Sequence, residues 1–301
     1  MPHLSVVIPV YNSAATIKTV VGDCFAALGH IDFELVLVND GSVDNSEEVI
    51  FNLAETHPNI KAISLAKNVG EFNAVMCGLN YATADYVAII DDDGQNPPSE
   101  ILKLLAEAEK GYDVVYARYS EKMHSRDRNL GSWLSNLLAV AFIGKPFKLY
   151  LSSFKVLSRK FLDEVLEIQT GGTYLDGLIF QLSPKYSFVV VEHKPSLIPS
   201  RYDYSRLTGT TLSMMDSGKN KYAMMLLLVV MVPVFWFFAM VSIMSDQPVG
   251  NANFGIFTGF ICLLFLCILL FLVLLVSAFV FKLKIRAVQK EFKQAKKSFN
   301  A

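Results

Sequence analysis

Three consecutive aspartates follow an apolar run in the segment VAIIDDDGQN, residues 87–96. Adjacent carboxylates repel one another, and they stabilise the end of a strand only when a cation lies among them. Strand alternation places Asp91 and Asp93 on one side of the chain and Asp92 on the other. Asp91 and Asp93, with the side-chain oxygen of Gln95, therefore predict a site for Mg²⁺ or Mn²⁺ whose shell is completed by substrate phosphates. The alternative is a solvated acidic turn before the next helix.

The segments around this triplet alternate between strand and helix patterns. Apolar runs rich in β-branched residues predict strands at 4–10, 33–40, 60–66, 86–91 and 113–119. A segment with helical periodicity separates each run from the next. This alternation predicts the α/β class, with a doubly wound and mainly parallel sheet covered by helices on both faces. In such sheets, ligands bind outside the carboxyl ends of the strands.

Other polar side chains are predicted at the same edge of the sheet. Asn12, Asp40 and Asn68 follow the first, second and third strands, so we expect them, with Asp92, to contact a bound nucleotide. Asp40 can accept hydrogen bonds from a base or a ribose hydroxyl, or it can form an N-cap or an Asx-turn. The sequence has no GxGxxG after the first strand and no GxxxxGK[ST], which argues against a dinucleotide-binding fold and a P-loop.

The last third of the chain contains two long apolar runs without a charged residue, at 223–243 and 254–281. Each run exceeds the roughly 20 residues that cross a bilayer core, so together they predict a transmembrane helical hairpin. Lysines and arginines flank the hairpin on both outer sides, and the short connecting loop has none. The positive-inside rule then places both termini in the cytoplasm. The net charge of −1 indicates no nucleic-acid partner.

These observations predict three parts of the chain. Residues 1–200 form a cytoplasmic catalytic domain, residues 201–222 form an interfacial juxtamembrane segment, and residues 223–301 form the two membrane helices and a basic tail. The sequence does not decide whether the protein is a homo-oligomer.

The motifs SVVIPVYN, VNDGSVDNS, NVGEFNAV and IDDDGQNPP closely resemble those of the family-2 glycosyltransferases, which have a GT-A fold. The soluble part followed by two spans resembles the branch with dolichyl-phosphate mannose synthases and bacterial polyprenyl-phosphate glycosyltransferases. The resemblance implies a metal-dependent, inverting enzyme of the inner (cytoplasmic) membrane. Its donor would be a nucleotide sugar, UDP- or GDP-linked, and its acceptor polyprenyl phosphate or another lipid-linked molecule. Membrane lipid would be a further partner.

The resemblance also assigns roles to individual residues. The family's D-A-D-L-Q reads D-D-D-G-Q here, so both outer acids remain available to hold the metal and the diphosphate. Asp93 would in this way take part in catalysis. Arg118 matches an arginine that binds phosphate oxygens, and the nucleoside would be held by Pro9, Tyr11 and Asp40.

The acceptor is the least determined part of the prediction. A lipid phosphate is already ionised at neutral pH and needs no base, whereas a hydroxyl acceptor needs one, for which Asp176 is the candidate. Asp176 could instead be the N-cap of a helix. The segment YLSSFKVLSR, residues 150–159, also departs from the motif common in the polyprenyl-phosphate branch. A hypothesis of another class is a membrane scaffold that binds nucleotide sugars without turnover.

Overall fold

The computed structural model of the chain describes residues 2–119, 140, 143–168 and 174–195. The predicted juxtamembrane segment and both predicted spans, at 223–243 and 254–281, lie outside these residues. Within the described residues, no helix combines the length and the apolar character needed to cross a membrane.

The described strands are β1 (Leu4–Val10), β2 (Phe33–Asn39), β3 (Ile60–Ser64), β4 (Tyr86–Ile89), β5 (Val114–Tyr119), β6 (Lys155–Ser158) and β7 (Tyr186–Val191). The described α-helices are α1 (Ile17–Leu28), α2 (Ser46–Thr56), α3 (Glu71–Tyr81), α4 (Ile101–Ala108), α5 (Arg159–Glu167) and α6 (Leu175–Gln181). A single 3₁₀ turn, Pro98–Glu100, leads into α4. All five strands predicted from the sequence are confirmed, whereas β6 and β7 were not predicted.

The strands form one mixed sheet in the order β3-β2-β1-β4-β6-β5-β7. Strands β1 to β4 pair in parallel, and β5 pairs in parallel with β7. Strand β6 is antiparallel to both of its neighbours, β4 and β5. The prediction of a mainly parallel α/β sheet is therefore confirmed. The carboxyl ends of β1, β2, β3 and β4 lie along one edge of this sheet.

Helices cover both faces of the sheet, as the continuous apolar strands predicted. One face packs against α1, α2 and α4, and the other packs against α3, α5 and α6. Helix α3 approaches β1 so closely that a Cβ on Gly78 would lie 2.4 Å from Cγ1 of Val7. Helix α3 therefore packs directly against the parallel strands β1 and β2.

Candidate active site

Hydrogen bonds join the loops that follow β1 and β2. The backbone N–H of Asn12 donates to Oγ of Ser42 (2.9 Å), and Oδ1 of Asn12 accepts from the N–H of Val43 (2.8 Å). Asn12 adopts a left-handed conformation (φ 50°), so the chain turns sharply there. Gly41 (φ +60°) lies against the backbone of the loop after β3, where a Cβ would come within 2.4 Å of N of Asn68. The loops after three parallel strands thus form one continuous rim.

Asp92 connects this rim to the loop after β4. Its Oδ2 accepts a hydrogen bond from the backbone N–H of Tyr11 (2.9 Å) and a very short one from the hydroxyl of Ser13. Its backbone carbonyl accepts from Oγ1 of Thr16 (2.8 Å). Asp92 therefore points to the opposite side from the polar partners of Asp91, and it braces the turn that carries Tyr11. Its predicted contact with the nucleotide stays a prediction.

Asp91 comes shortly after β4 and is held by two side chains. Its Oδ2 accepts hydrogen bonds from Oγ of Ser153 (2.7 Å) and from Nδ2 of Asn96 (3.0 Å). Burial, together with the charges of Glu71 and of the two neighbouring aspartates, raises the pKa of Asp91 to about 7, and the hydrogen bond from Ser153 opposes that rise. The cause is a concentration of negative charge with little water, which is an environment that favours a bound cation.

Asp93 and Gln95 lie on the same turn as Asp91. Oδ1 of Asp93 accepts the backbone N–H of Gln95 (3.0 Å), and Gly94 between them has a positive φ of 74°. The carbonyl of Gln95 accepts the N–H of Lys194 (2.9 Å), which follows β7. Both backbone groups of Gln95 are therefore fixed, and the turn carries all three predicted metal ligands.

The chemistry of this donor set fits a hard divalent cation. Asp91 and Asp93 offer carboxylate oxygens, Gln95 offers an amide oxygen, and Mg²⁺ or Mn²⁺ prefers such ligands. No cluster of three or more histidine, cysteine or acidic side chains arranged for a metal occurs among the described residues. A cation bound by these ligands would complete its shell with water and with oxygens of substrate phosphates.

The carboxylate of Asp40 accepts hydrogen bonds from the backbone of the loop after β3. It is 3% exposed, and its two carboxylate oxygens accept the N–H groups of Val69 (2.7 Å) and Gly70 (3.0 Å). Burial raises the pKa of Asp40, and these two hydrogen bonds oppose that rise. Asp40 thereby fixes the loop that presents the exposed Asn68 just before α3. A direct contact of Asp40 or Asn68 with the nucleoside stays a prediction.

Pro9 and Arg118 are at accessible positions of the sheet. Pro9 is half-buried in β1 opposite Val38, and it is followed closely by the Tyr11 turn. Arg118 is exposed near the end of β5, and its guanidinium lies 5.2 Å from the ring centre of Phe188 on β7. Stacking on a ring fixes the plane of a guanidinium and leaves its N–H groups at the edges. The predicted phosphate contact of Arg118 is not tested by this arrangement.

Asp176 lies inside the protein, next to the first residue of β6. Its Oδ1 is 2.5 Å from Nζ of Lys155 and accepts the hydroxyl of Tyr116 (2.7 Å). The N-cap alternative for Asp176 is wrong, because the N-cap of α6 is Tyr174. Its role as a base stays a prediction, but its carboxylate already has two strong partners.

Four residues with a place in or beside this site were not predicted from the sequence: Asn96, Tyr119, Ser153 and Lys155. Asn96 stands within the DDDGQN motif, so its position in the loop was a signal that could have identified it. Ser153 lies just before β6 and contacts Asp91, and Lys155 begins β6 and contacts Asp176. No local pattern indicates that this strand pairs with β4.

Comparison with known proteins places the chain in a family. The model of the family described as "Glycosyl transferase family 2" matches residues 5–166, more than half of the chain. A protein of Photorhabdus laumondii named undecaprenyl-phosphate 4-deoxy-4-formamido-L-arabinose transferase is 32% identical over 208 residues. A protein of the same name from Enterobacter sp. (strain 638) is 34% identical over 209 residues. Each match covers 68% of this chain and 64% of the relative, so the chain matches somewhat less than two thirds of these relatives' length.

Solved structures share the fold at low sequence identity. Glucosyl-3-phosphoglycerate synthase from Mycobacterium tuberculosis, in complex with Mn²⁺, UDP and phosphoglyceric acid, superposes with a TM-score of 0.54 and 18% identity. The match covers 72% of this chain and 77% of that one. This likeness confirms the GT-A-type fold that the motifs implied. The family match over residues 5–166 shows that the chain belongs to glycosyl transferase family 2.

Proposed function

We propose that the protein transfers a sugar from a nucleotide sugar to polyprenyl phosphate at the cytoplasmic face of a membrane. The observation that carries the proposal is the acidic turn of Asp91, Asp93 and Gln95 beside the rim formed by the loops after β1, β2 and β3. Relatives named as undecaprenyl-phosphate sugar transferases support the choice of acceptor. The predicted membrane hairpin supports the same choice, because a polyprenyl acceptor is held in lipid.

The reaction is a displacement at the anomeric carbon of the donor sugar. An oxyanion of the acceptor phosphate attacks that carbon, and a new carbon–oxygen bond forms on the face opposite the nucleotide. The bond to the diphosphate oxygen breaks, and its electron pair leaves with the nucleoside diphosphate, so the configuration inverts. When bound, a divalent cation held by Asp91, Asp93 and Gln95 would neutralise the charge that develops on the diphosphate.

The remaining predicted residues would bind or position the nucleoside of the donor and the phosphate of the acceptor. Pro9, Tyr11, Asn12, Asp40 and Asn68 lie along the rim and would contact or position the nucleoside, as ligands do at this edge of α/β sheets. Asp92 would act through the Tyr11 turn that it braces. Arg118 would bind the phosphate of the acceptor with a charge-assisted hydrogen bond.

Transfer to a hydroxyl of a lipid-linked glycan is the second candidate function, and it requires a base. The geometry disfavours Asp176 for this task, because its side chain is 6% exposed and is paired with Lys155. A general base must reach the proton that it removes, directly or through one water molecule. A phosphate acceptor removes this requirement, since the nucleophile is already ionised at neutral pH.

The test uses the full-length chain in detergent or lipid, a panel of labelled nucleotide sugars, and two acceptors, polyprenyl phosphate and a lipid-linked saccharide. We expect a labelled lipid with polyprenyl phosphate only, no product in EDTA, and recovery with Mn²⁺ or Mg²⁺. Asp91→Asn and Asp93→Asn should each reduce the rate by about 100-fold or more, the scale on which catalytic charge stabilisation acts.

Asp163→Asn is the matched control, because Asp163 is a 59% exposed acid on α5 whose partner is Arg159. It should retain the rate. Product on the saccharide alone would favour the hydroxyl acceptor. A rate unaffected by EDTA and by both aspartate changes would refute the metal-dependent mechanism, and nucleotide-sugar binding without any product would favour the scaffold hypothesis.

A further inference from the structure

The Asp91 carboxylate is held on one oxygen by donors from two different parts of the chain. Ser153 precedes β6 and donates to Oδ2 over 2.7 Å, and Asn96 lies in the loop after β4 and donates to the same atom over 3.0 Å. Every hydrogen bond described for the Asp91 side chain is therefore accepted by Oδ2. Two donors on one oxygen fix the rotation of the carboxylate and direct Oδ1 to the other side.

Asn96 belongs to a longer hydrogen-bond network, in which the donor and the acceptor of each bond can be assigned. Oδ1 of Asn96 accepts the hydroxyl proton of Tyr119 (2.9 Å), so the amide N of Asn96 must face Asp91. Oγ of Ser152 accepts the N–H of Phe154 (3.2 Å), which leaves its own proton for the oxygen of Tyr119 at 3.1 Å. Each group thus donates a hydrogen bond to the next, from Ser152 to Tyr119, from Tyr119 to Asn96, and from Asn96 to the carboxylate of Asp91.

This network is shielded from water at its centre. Asn96 is 2% exposed and Ser152 is 5% exposed. The ring of Tyr119 also packs 4.2 Å from that of His193, which follows β7. Because water cannot easily replace a lost partner there, the hydrogen bonds of Asn96 and Ser152 have a strong effect on the orientation of the next group. Ser153 is exposed at the end of the network and contacts the carboxylate directly.

We propose that Ser153, Asn96 and Tyr119 are positioning residues that hold Asp91 in the orientation in which its Oδ1 binds the divalent cation. The proposal rests on the proposed function, because the cation belongs to that reaction. Groups that orient a metal ligand commonly change the affinity for the metal by about 10–100-fold when they are removed. Asn96 lies in the loop after β4, Tyr119 is the last residue of β5, and Ser153 lies just before β6, so the pairing of these three strands brings the residues together.

The experiment measures Mn²⁺ binding directly, by electron paramagnetic resonance titration of the purified full-length chain in the presence of nucleoside diphosphate. Ser153→Ala should raise the Mn²⁺ dissociation constant by about 10–100-fold, and Ser153→Thr, which keeps the hydroxyl, should restore most of the affinity. Tyr119→Phe removes the hydroxyl that donates to Asn96, one step back from the carboxylate, and should weaken binding by about fivefold. The Mn²⁺ concentration that gives the half-maximal transfer rate should rise in the same order.

Ser187→Ala is the matched control. The hydroxyl of Ser187 donates to Oε1 of Glu107 over 2.7 Å, the same kind of bond at the same length, near the start of β7. This variant should bind Mn²⁺ like the unmodified protein. Thermal unfolding of each variant separates a local change from a folding defect, and Tyr119→Phe still tests the proposal if Ser153→Ala does not fold.

The outcomes separate this proposal from the proposed function. Normal Mn²⁺ affinity in both Ser153→Ala and Tyr119→Phe would overturn the positioning role while leaving metal-dependent transfer intact. Failure of the unmodified protein to bind Mn²⁺ in the presence of nucleoside diphosphate would overturn both. Weaker binding in Ser153→Ala with no recovery in Ser153→Thr would also contradict the proposal, since it would show that the hydroxyl is not the cause.

Discussion

Nζ of Lys155 lies 2.5 Å from Oδ1 of Asp176, and neither side chain is more than 6% exposed. Tyr116 adds its hydroxyl to the same carboxylate oxygen, and its ring lies 5.0 Å from the ammonium group. Lys155 pairs with Ile89 of β4 and with Tyr116 of β5 in the sheet. This buried pair therefore joins α6 to the middle of the sheet, two residues along the chain from Ser153.

Removing one partner of this pair should destabilise the protein strongly. Asp176→Asn leaves the Lys155 charge buried without a counter-charge, which costs about 3–5 kcal/mol. We expect the midpoint of thermal unfolding to fall by about 10 °C for a domain of this size. The transfer rate per folded molecule should fall much less than the about 10²–10⁴-fold that loss of a general base causes. Scanning calorimetry and a rate measured well below the unfolding midpoint check the two parts separately.

Asp163→Asn again gives the comparison, because its ion pair with Arg159 spans 3.4 Å at the surface. Exposed pairs of this kind contribute about 0–1 kcal/mol, so the midpoint should move little. If Asp176→Asn kept its unfolding midpoint and lost the rate by a hundredfold or more, Asp176 would be a base and the hydroxyl acceptor would become the better hypothesis.

The two longest strands that the sequence predicts, β1 and β2, are also almost completely buried. Each of β1 and β2 has seven residues that are almost all buried, so the apolar run is continuous and easily recognised. Strand β6 has four residues and begins with Lys155, and a lysine at a strand start normally indicates an exposed position. Its burial depends on Asp176, which is 21 residues away in the chain. The sequence alone cannot show that pairing.

The site also contains residues that the sequence predicts and residues that it does not. Asp91, Asp93, Gln95 and Asp40 follow parallel strands directly, so the rule for strand ends brings them to one edge. Ser153 reaches Asp91, and Tyr119 reaches its partner Asn96, because β6 runs antiparallel between β4 and β5. That insertion has no signature in the local sequence pattern. The ring beneath Arg118 belongs to β7, whose side chains are alternately exposed at an edge of the sheet.

A substitution at Asp40 tests whether its hydrogen bonds to Val69 and Gly70 position the loop that carries Asn68. Asp40→Asn replaces one of two accepting oxygens with an NH₂ group, which would face the N–H of Val69 or Gly70 and repel it. A hydrogen bond to a charged group contributes about 1.5–3 kcal/mol, so we expect the loop carrying Asn68 to shift. The KM for the nucleotide sugar should rise by about tenfold or more, with a smaller change in kcat. Steady-state kinetics with varied donor concentration measures this difference.

Asp113→Asn is the matched control for this substitution. Oδ2 of Asp113 accepts the N–H of Lys185 over 2.7 Å, next to the start of β5 and away from the rim. Both variants lose a carboxylate–amide bond, so both should lose some stability. An unchanged donor KM in Asp40→Asn, together with a stability loss like that of Asp113→Asn, would restrict Asp40 to a structural role.

Arg118 and Phe188 form a pair in which charge and stacking can be separated. If Arg118 binds the acceptor phosphate, Arg118→Ala should raise the KM for polyprenyl phosphate by about 10–100-fold, because a charge-assisted hydrogen bond is lost. Phe188→Ala keeps the guanidinium and removes only the ring 5.2 Å beneath it, which at an exposed site contributes about 0.5–1 kcal/mol. Its acceptor KM should rise by about two- to fivefold. Titration of polyprenyl phosphate at saturating donor measures both values. Equal KM values in Arg118→Ala and the unmodified protein would exclude Arg118 from phosphate binding and leave the cation–π contact as its role.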